Sequence, residues 1–350
     1  MKKLISPIGP MRPIGLMRLM RPVSLIGLIS VLMFSCEEKK GEIRLPESKG
    51  QPAELLVVAP AKMLQGEFAD TLNTVVDCDA PGLGSTERIF RTMTIGAKGF
   101  GDMYKMMHSQ LILEIDPAQK KTVMGTAHDV YARPQLQVLV KGSSEEAIAD
   151  YLSENRERIQ RIFLDFQLDR YAQFLETKYS KKASDEMKRL GYDIRIPSDI
   201  ASAKTGKDFL WASSNRGGDR DINFVFYTYP WNGESVTDTA LFVAKRDSVL
   251  KANIPGSQPN QWVTTTRGEL GTPVLWSSNR NIAGKEQFEV RGLWEMKNGF
   301  MGGPFVSLVS IDSVARKVVV TESFVFSPNS SKRDLLRSVE AGLRTLRKKR

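Results

Sequence analysis

The sequence predicts an α+β fold made of two tandem copies of one unit, and three matches along the chain support this prediction. Each copy opens with an apolar strand, at 54–59 and at 222–227. An amphipathic helix stopped by a Pro-Gly pair follows, and then a Thr-rich strand preceded by an aromatic residue. Each copy closes with a strand and a helix. Because the matches come in the same order, we expect two antiparallel sheets, each with helices packed on one face.

The first copy is expected to occupy residues 52–190. Its helix should stop at Pro81-Gly82, because proline and glycine do not continue a helix. Residues 142–144 are predicted to cap a closing helix that carries Ile148 and Leu152 at helical spacing. This helix is expected to run on to about residue 190 and to join the copies rigidly. The strands are expected at 54–59, 90–94, 111–115 and 136–140.

The second copy is expected to occupy residues 191–350, with Gly191 ending the joining helix. Its first helix is predicted at 238–252, with Asp238 as the N-cap. The closing helix is predicted to be capped by residues 329–331. The strands are expected at 222–227, 262–266, 290–296, 306–311 and 324–326.

Residues 1–35 are predicted to be a lipoprotein signal peptide. They contain no acidic residue, and the uncharged stretch 23–35 is shorter than the roughly 20 apolar residues that span a bilayer. Ser35 is a small residue directly before Cys36, which favours cleavage there and acylation of the Cys36 thiol. Several acyl chains would hold the protein on a membrane, since each buried CH₂ contributes roughly 0.8 kcal/mol.

An ordinary secretory signal with a chance cysteine is the alternative, because Met33 and Phe34 stand where a leucine and a small residue are commoner. The leader is also long and repetitive, so translation starts at Met1, Met17 and Met20 all remain open. Residues 36–51 are predicted to be a flexible tether, since they begin with a charged cluster and are polar.

The charge of the chain argues against nucleic acid as a partner. The formal net charge is +10. Five basic residues lie in the leader, and four more lie at 347–350. A nucleic-acid-binding protein usually shows a basic face with a recognisable motif, and none is found. The C-terminal cations suit a solvated helix end, or alternatively contact with anionic lipid or phosphate.

No metal site, cofactor or nucleophile is predicted. If Cys36 is acylated, Cys78 has no disulfide partner and is expected to be a small buried hydrophobe. The two histidines, His108 and His128, lack the spacing of a zinc motif. The glycine-rich stretches at 216–219 and 301–304 match neither a P-loop nor a dinucleotide fingerprint.

Five residues are predicted as a candidate ligand surface. Trp231 stands in a loop-like Pro-Trp-Asn-Gly, where an exposed aromatic would suit a glycan or a peptide, although core packing is the alternative. Glu295, beside Trp294, is the best candidate for a catalytic or ligand-gripping acid. The complete surface is Trp231, Asn232, Arg291, Trp294 and Glu295.

Several short sequence segments resemble those of a known family. With the stretch at 50–58, the phrases at 230–235, 291–295 and 301–306 resemble a family of Bacteroidota envelope lipoproteins catalogued only as a domain of unknown function. This resemblance implies an envelope location, and we expect the outer membrane, on either its periplasmic or its surface face. The second half also looks loosely like the PsbP-type fold, an analogy that transfers no function.

The sequence therefore predicts a membrane-anchored envelope lipoprotein whose body binds an envelope protein or a cell-wall glycan without catalysis. The alternative is a periplasmic or surface hydrolase that acts through carboxylates such as Glu295. A second acid near Glu295 in a cleft would favour the hydrolase.

Overall fold

The computed structural model describes residues 44–214 and 220–349. The predicted leader and the lipidation site at Cys36 lie outside the described residues, as does the glycine-rich stretch at 216–219. From Leu45 onward, the described residues form one compact unit. None of the helices in the described ranges is long and apolar enough to cross a bilayer.

The N-terminal half of the unit contains five strands and five helices in the described residues. They are β1 (Glu54–Ala59), α1 (Gly66–Val76), β2 (Arg91–Gly96), α2 (Asp102–Lys105), β3 (Ser109–Ile115), β4 (Val123–His128), β5 (Leu136–Gly142), α3 (Glu145–Glu154), α4 (Arg156–Leu175) and α5 (Lys181–Arg189).

These strands form one sheet in the order β2-β1-β3-β5-β4. The pairs β1–β2, β1–β3 and β3–β5 are parallel, and β4 alone is antiparallel to its neighbour. Parallel neighbours need crossover connections, so helices lie against the sheet. The core formed between them includes Phe68 and Leu72 of α1, Ile148 of α3 and Phe163 of α4.

The C-terminal half contains the remaining elements. They are β6 (Tyr192–Asp193), β7 (Ser202–Gly206), β8 (Phe209–Ser213), β9 (Asp221–Pro230), α6 (Thr239–Asn253), β10 (Trp262–Thr265), β11 (Leu275–Ile282), β12 (Lys285–Lys297), β13 (Gly302–Asp312), β14 (Lys317–Phe326), α7 (Arg333–Leu343) and β15 (Arg347–Lys348).

The main C-terminal sheet runs β10-β12-β13-β14-β9-β8-β7, with β11 also paired to β12, and its pairings in the described residues are antiparallel. Alternate residues of β9 point to opposite faces. Phe224 and Phe226 pack in a core shared with α5 and α7, whereas Val225 and Tyr227 pack in a core shared with α6. Helices therefore cover both faces of this sheet.

The predicted α+β class is confirmed, but the two halves are not copies of one unit. The N-terminal sheet is mostly parallel, the C-terminal sheet is antiparallel, and the latter is covered on both faces where one was expected. A repeated pattern of apolar runs does not encode strand direction, because direction depends on the connections that follow. The nearly continuous apolar run of β1 is typical of a strand buried on both faces, as parallel strands usually are.

The joining segment consists of α3, α4 and α5 in place of one continuous helix. The first break is at Asn155 and the second lies between α4 and α5. The predicted caps at Ser144 and Asp238 are confirmed, since their side chains accept hydrogen bonds from backbone N–H groups of α3 and α6. Gly191, with φ of +87°, follows the end of α5 as predicted.

The cap of α7 is supplied from the N-terminal half, not by residues 329–331 as predicted. The carboxylate of Glu87 accepts from Lys332 N at 2.9 Å, from Arg333 N at 3.1 Å and from Ser331 Oγ at 2.6 Å. In return, Arg333 and Arg337 donate to the carbonyls of Arg88 and Ile89. This reciprocal set of bonds fixes α7 on both halves.

Two segments near the ends of the described residues form contacts that the sequence did not predict. The tether expected at 36–51 ends by residue 45 at the latest, because Ser48 N bonds Arg133 O at 3.1 Å and Lys49 N bonds Met106 O at 2.8 Å. The C-terminal cations do not form a helix end either. Residues 347–348 are β15, which pairs with β6, and Lys348 Nζ contacts Asp312 at 2.6 Å.

We predict that Glu87→Ala lowers the free energy of unfolding by about 1–3 kcal/mol, since a cap and two backbone donors of α7 lose their acceptor. Burial raises the pKa of Glu87, but its hydrogen bonds to Ser331, Lys332 and Arg333 lower it below the ordinary value overall. Its contribution is therefore present at neutral pH and is lost as the pH falls through the folded-state pKa.

Urea denaturation at neutral and acidic pH measures this effect. Glu269→Ala, at an exposed loop position, is the matched control and should change stability by no more than about 0.5 kcal/mol. Equal losses for the two variants would show that Glu87 does not hold α7.

Candidate functional site

The predicted ligand surface does not form one surface. Trp294 Nε1 donates to the carbonyl of Val325 at 3.1 Å, and Val325 pairs with Ile222 near the start of β9. Trp231, in contrast, follows Pro230 at the end of β9. Since β9 has 10 residues, at roughly 3.3 Å each, the two indoles lie about 30 Å apart along the sheet.

Trp294 belongs to the core and not to a ligand surface. Its side chain is 2% exposed and packs edge-on against Phe324, with ring centroids 5.0 Å apart. β12 is covered by α6 on that face, so an indole whose N–H finds a backbone carbonyl is well suited to the interior.

Arg291 also lies inside the protein, between two acids that join the halves. Its guanidinium contacts Glu289 on the same strand and Glu340 on α7. Although burial opposes the charged form, these two carboxylates raise the pKa of Arg291 above its ordinary value. Arg291 is therefore a largely buried structural cation whose guanidinium is occupied by two carboxylates.

Trp231 and Asn232 form a self-contained turn with Glu234. Trp231 Nε1 donates to Glu234 O at 2.9 Å, and Asn232 N donates to the Glu234 carboxylate at 2.9 Å. Trp231 is half-buried against the core under α6, while Asn232 is exposed. The structure thus favours packing over an exposed aromatic platform at this position.

Glu295 lines a shallow cavity of about 510 Å³ between the β12–β13 turn and Leu83. Among the described residues that line this cavity, Glu295 is the acid and Lys297 and Lys332 are the cations. A carboxylate pair of the glycosidase type needs a second acid at about 5–10 Å. The cavity does not provide one, so the geometry does not favour hydrolysis at Glu295.

A larger cavity lies elsewhere, between the two halves, and has a volume of about 860 Å³. We name it the junction cleft and define its walls by residues of α4 and α7, namely Leu168, Arg170, Tyr171, Phe174, Leu335 and Arg337. Its volume is typical of a site for a small molecule or a short chain segment, for which about 300–1,000 Å³ is usual.

His108 forms part of the cleft wall and is held neutral. Its Nε2 lies 3.0 Å from Gln51 O, which can only accept, so Nε2 carries the proton and Nδ1 accepts from Ser109 Oγ at 2.8 Å. Burial, assisted by the charge of Arg170, lowers the pKa of His108 to about 4. Gly50, at φ +116°, passes so close that a Cβ there would meet the imidazole at 2.9 Å.

The His108–Ser109 pair resembles a base and a nucleophile, but its energetics do not suit catalysis. A general base works best with a pKa near the operating pH, whereas the pKa of His108 is about 4. The Ser109 side chain is fully buried and also contacts Gln167 Nε2 at 3.5 Å. The pair therefore supports the wall of the cleft and does not present an attacking oxygen to it.

Two arginines of the cleft wall lie on α4 and α7, and the one on α7 has an unused donor. Arg337 donates through Nη2 to Ile89 O at 2.9 Å, but its buried Nη1 has no hydrogen-bond partner among the described residues. Burial, with the nearby charges of Arg333 and Arg291, lowers the pKa of Arg337 to about 10, although the nearby carboxylate of Glu340 raises it. Burial also lowers the pKa of Arg170, and Glu47 partly offsets this effect.

The remaining groups of the cleft are one unused acceptor and several apolar side chains. Gln167 Oε1 is buried and has no partner, although its Nε2 donates to Glu54 O at 3.2 Å. Tyr171 and Phe174 lie side by side on α4, with ring centroids 5.6 Å apart, and Phe174 is 46% exposed. Apolar walls with a few convergent polar groups are the usual makeup of a binding pocket.

Few features of the sequence indicate this cleft. Arg170 and Arg337 stand in helices rich in charge, where a solvated cation and a buried one look alike. Of the groups in the cleft, only His108 was singled out, and it is separated from His128, an exposed residue of β4. No group of three or more His, Cys, Asp or Glu is placed to hold a metal ion within the described ranges.

Cys78 was predicted to be a small buried hydrophobe, and its side chain is partly buried against the N-terminal core. Gln160 Nε2 donates to its Sγ at 3.1 Å. Burial raises the pKa of Cys78 above its ordinary value, which disfavours the nucleophilic thiolate.

Two family models match the chain. Residues 48–176 are similar to the Domain of unknown function (DUF8532), and residues 179–345 are similar to the Domain of unknown function (DUF4837). The predicted similarity to a domain of unknown function is thus confirmed, with two such domains in tandem where one family was expected. The first match ends just after α4 and the second begins just before α5. No curated protein matches the chain.

We predict that His108 makes folding stability depend on pH between about 6.5 and 4. Its folded-state pKa of about 4 lies below the ordinary 6.5, so the unfolded chain takes up the proton first. Stability is therefore complete above pH 6.5 and falls as the pH approaches 4, by about 3 kcal/mol in total at 1.36 kcal/mol per pKa unit.

Urea denaturation of the wild type and His108→Gln across this pH range measures the effect. The glutamine variant should show a correspondingly flatter dependence over that range, whatever its stability at neutral pH. Parallel curves for the two proteins would mean that His108 does not titrate as described.

Proposed function

We propose that this protein is a lipid-anchored envelope lipoprotein that binds an envelope ligand in the junction cleft and does not catalyse a reaction. The observation that carries the proposal is the cleft itself, a cavity of about 860 Å³ with apolar walls and unused polar groups. The weak basicity of His108 and the lack of a second acid among the described residues around Glu295 favour binding over hydrolysis.

The location rests on the sequence. The basic leader, the short apolar stretch and the Ser35-Cys36 junction support cleavage and acylation at Cys36. The resemblance to Bacteroidota envelope lipoproteins supports the outer membrane, facing either the periplasm or the exterior. A cell-wall glycan or an envelope protein segment is the class of ligand that such a location makes available.

We predict that Cys36→Ser releases the protein from membranes, because the acylated thiol would be the attachment point. Ultracentrifugation of cell envelopes followed by immunoblotting measures the distribution. Cys78→Ser is the matched control and should remain with the membrane fraction. If Cys36→Ser also remained there, the anchor would have to lie elsewhere in the chain.

We predict that Ser338→Trp blocks ligand binding, because Ser338 lines the junction cleft and a tryptophan would fill much of it. Envelope extracts passed over the immobilised wild type should yield a glycan or protein ligand that the variant fails to retain. Ser313→Trp is the control, since Ser313 is exposed and lines a different cavity. Turnover of an envelope substrate without any retained ligand would overturn the binding function.

A further inference from the structure

The charges of the junction cleft assign a ligand class. We infer that the cleft binds an anionic amphiphile, with its apolar body between α4 and α7 and its anionic group at Arg170 and Arg337. This inference rests on the proposed function, because it requires the cleft to be a binding site. It names an amphiphile in place of the glycan or protein segment that the location suggests, because Leu168, Phe174 and Leu335 make much of the wall apolar. The anionic group can be a carboxylate, a phosphate or a sulfonate, since all three accept hydrogen bonds from a guanidinium.

One N–H group of the Arg337 guanidinium, at Nη1, lacks an acceptor. Burying a donor without a partner is costly, and the cost is higher for a charged donor than for a neutral one. Nη2 is satisfied by Ile89 O, and the guanidinium lies 6.0 Å from the centre of the Phe90 ring, but Nη1 has no partner among the described residues. A small rotation of the guanidinium toward the cleft would give Nη1 to an anion there.

The other buried arginines at the junction contact acids. Arg291 contacts Glu289 and Glu340, and Arg344 contacts Asp165 and Asp169 at 2.9 Å. The arginines are therefore not generally short of partners where the halves meet. Arg337 differs from them, because Glu340 acts on its charge without a hydrogen bond to Nη1 among the described residues, and Arg337 lines the cleft.

Arg170 adds a second cation at the same cavity. It is half-buried, and in the described part of the chain its side chain has neither a hydrogen bond nor an ion pair within 4.0 Å. Its charge acts on His108, which stays neutral and so does not compete for an anion. Arg170 and Arg337 stand on different helices, α4 and α7, so an anion between them would contact both halves.

The acids of the cleft leave this arrangement open to an anion. Asp334 is engaged by Arg91 at 2.6 Å and by Arg333 at 2.9 Å. Glu47 is exposed, where water screens its charge. Asp199 acts on Tyr171, whose pKa is raised by burial and then by that carboxylate.

The apolar walls provide for the body of the ligand. Leu168 and Leu335 are buried, Tyr171 and Phe174 present aromatic side chains, and burial of the apolar part of a ligand against them favours binding. Gln167 Oε1 is left to accept from an N–H or O–H near the anionic group. The ligand thus combines an apolar body, one anion and one hydrogen-bond donor.

A matched pair of dyes tests the inference. 1-Anilinonaphthalene-8-sulfonate and N-phenyl-1-naphthylamine share one body and one N–H, and only the first carries an anion. Both are titrated by fluorescence against the full chain carrying Cys36→Ser. The sulfonate should bind at least about tenfold more tightly than the neutral dye, a difference of about 1.4 kcal/mol, since hydrogen bonds to charged groups are stronger than those between neutral groups.

Substitutions of the two arginines test where the anionic group binds. Arg337→Met and Arg170→Met keep an apolar side chain and remove the charge, so each should weaken the sulfonate dye at least about tenfold and leave the neutral dye unchanged. Arg156→Met is the matched control, because Arg156 is an exposed arginine at the start of the same helix as Arg170. Arg337→Lys should restore part of the affinity. Circular dichroism and the urea midpoint verify that each variant is folded.

The outcomes separate the two proposals. Equal affinity for both dyes, or loss of both dyes together in the Arg→Met variants, overturns the anion site while the cleft can still bind. If Ser338→Trp leaves both affinities unchanged, the cleft is not the binding site and the proposed function fails with it. Displacement of the sulfonate dye by dodecanoate or dodecyl phosphate, but not by dodecanol, then identifies the preferred anionic group.

Discussion

The docking of α7 onto residues 87–91 is the constraint on which the rest of the structure depends. Glu87 accepts the first free N–H groups of α7, and Arg333 and Arg337 of α7 return hydrogen bonds to the carbonyls of Arg88 and Ile89. A helix N-terminus carries unsatisfied donors and a partial positive charge, so a carboxylate there stabilises it in two ways. The same helix packs on the C-terminal sheet through Leu336 and Val339. One element thus fixes the relation between a parallel and an antiparallel sheet.

Ion pairs near α7 also hold the two halves together, and they contrast with the unused donor of Arg337 in the cleft. Arg280, Arg291 and Arg344 each contact carboxylates from another element. Deeper in the C-terminal half, the fully buried Arg246 is held by both oxygens of Glu322, at 2.8 and 2.7 Å. A buried charge without such compensation destabilises a fold by several kcal/mol. The buried Nη1 of Arg337 lacks a hydrogen-bond partner among the described residues, although the charge of Glu340 acts on this guanidinium, and an anion in the cleft would provide the missing acceptor.

Local elements could be predicted from the sequence because their causes are local. The strand β1, the caps at Ser144 and Asp238 and the stop at Gly191 each depend on residues within a few positions. The cap of α7 could not be predicted, because Glu87 lies about 245 positions away in the chain. Trp294 was misassigned for a similar reason, since an indole in a strand is core or surface according to which helix covers that face. Strand direction in the N-terminal sheet likewise depends on crossovers that an apolar pattern does not encode.

The position of the cleft has a thermodynamic consequence. Its walls come from α4 and α7, which belong to different halves. A ligand that contacts both helices therefore stabilises the junction between the halves. Any ligand that binds only the folded state adds RT ln(1 + [L]/Kd) to the free energy of unfolding, about 2.7 kcal/mol at a hundredfold excess over Kd. The anion would also provide the acceptor that Arg337 lacks, so part of the binding energy removes an existing penalty. Ligand binding and the docking of α7 therefore stabilise each other, because the Arg337 guanidinium takes part in both.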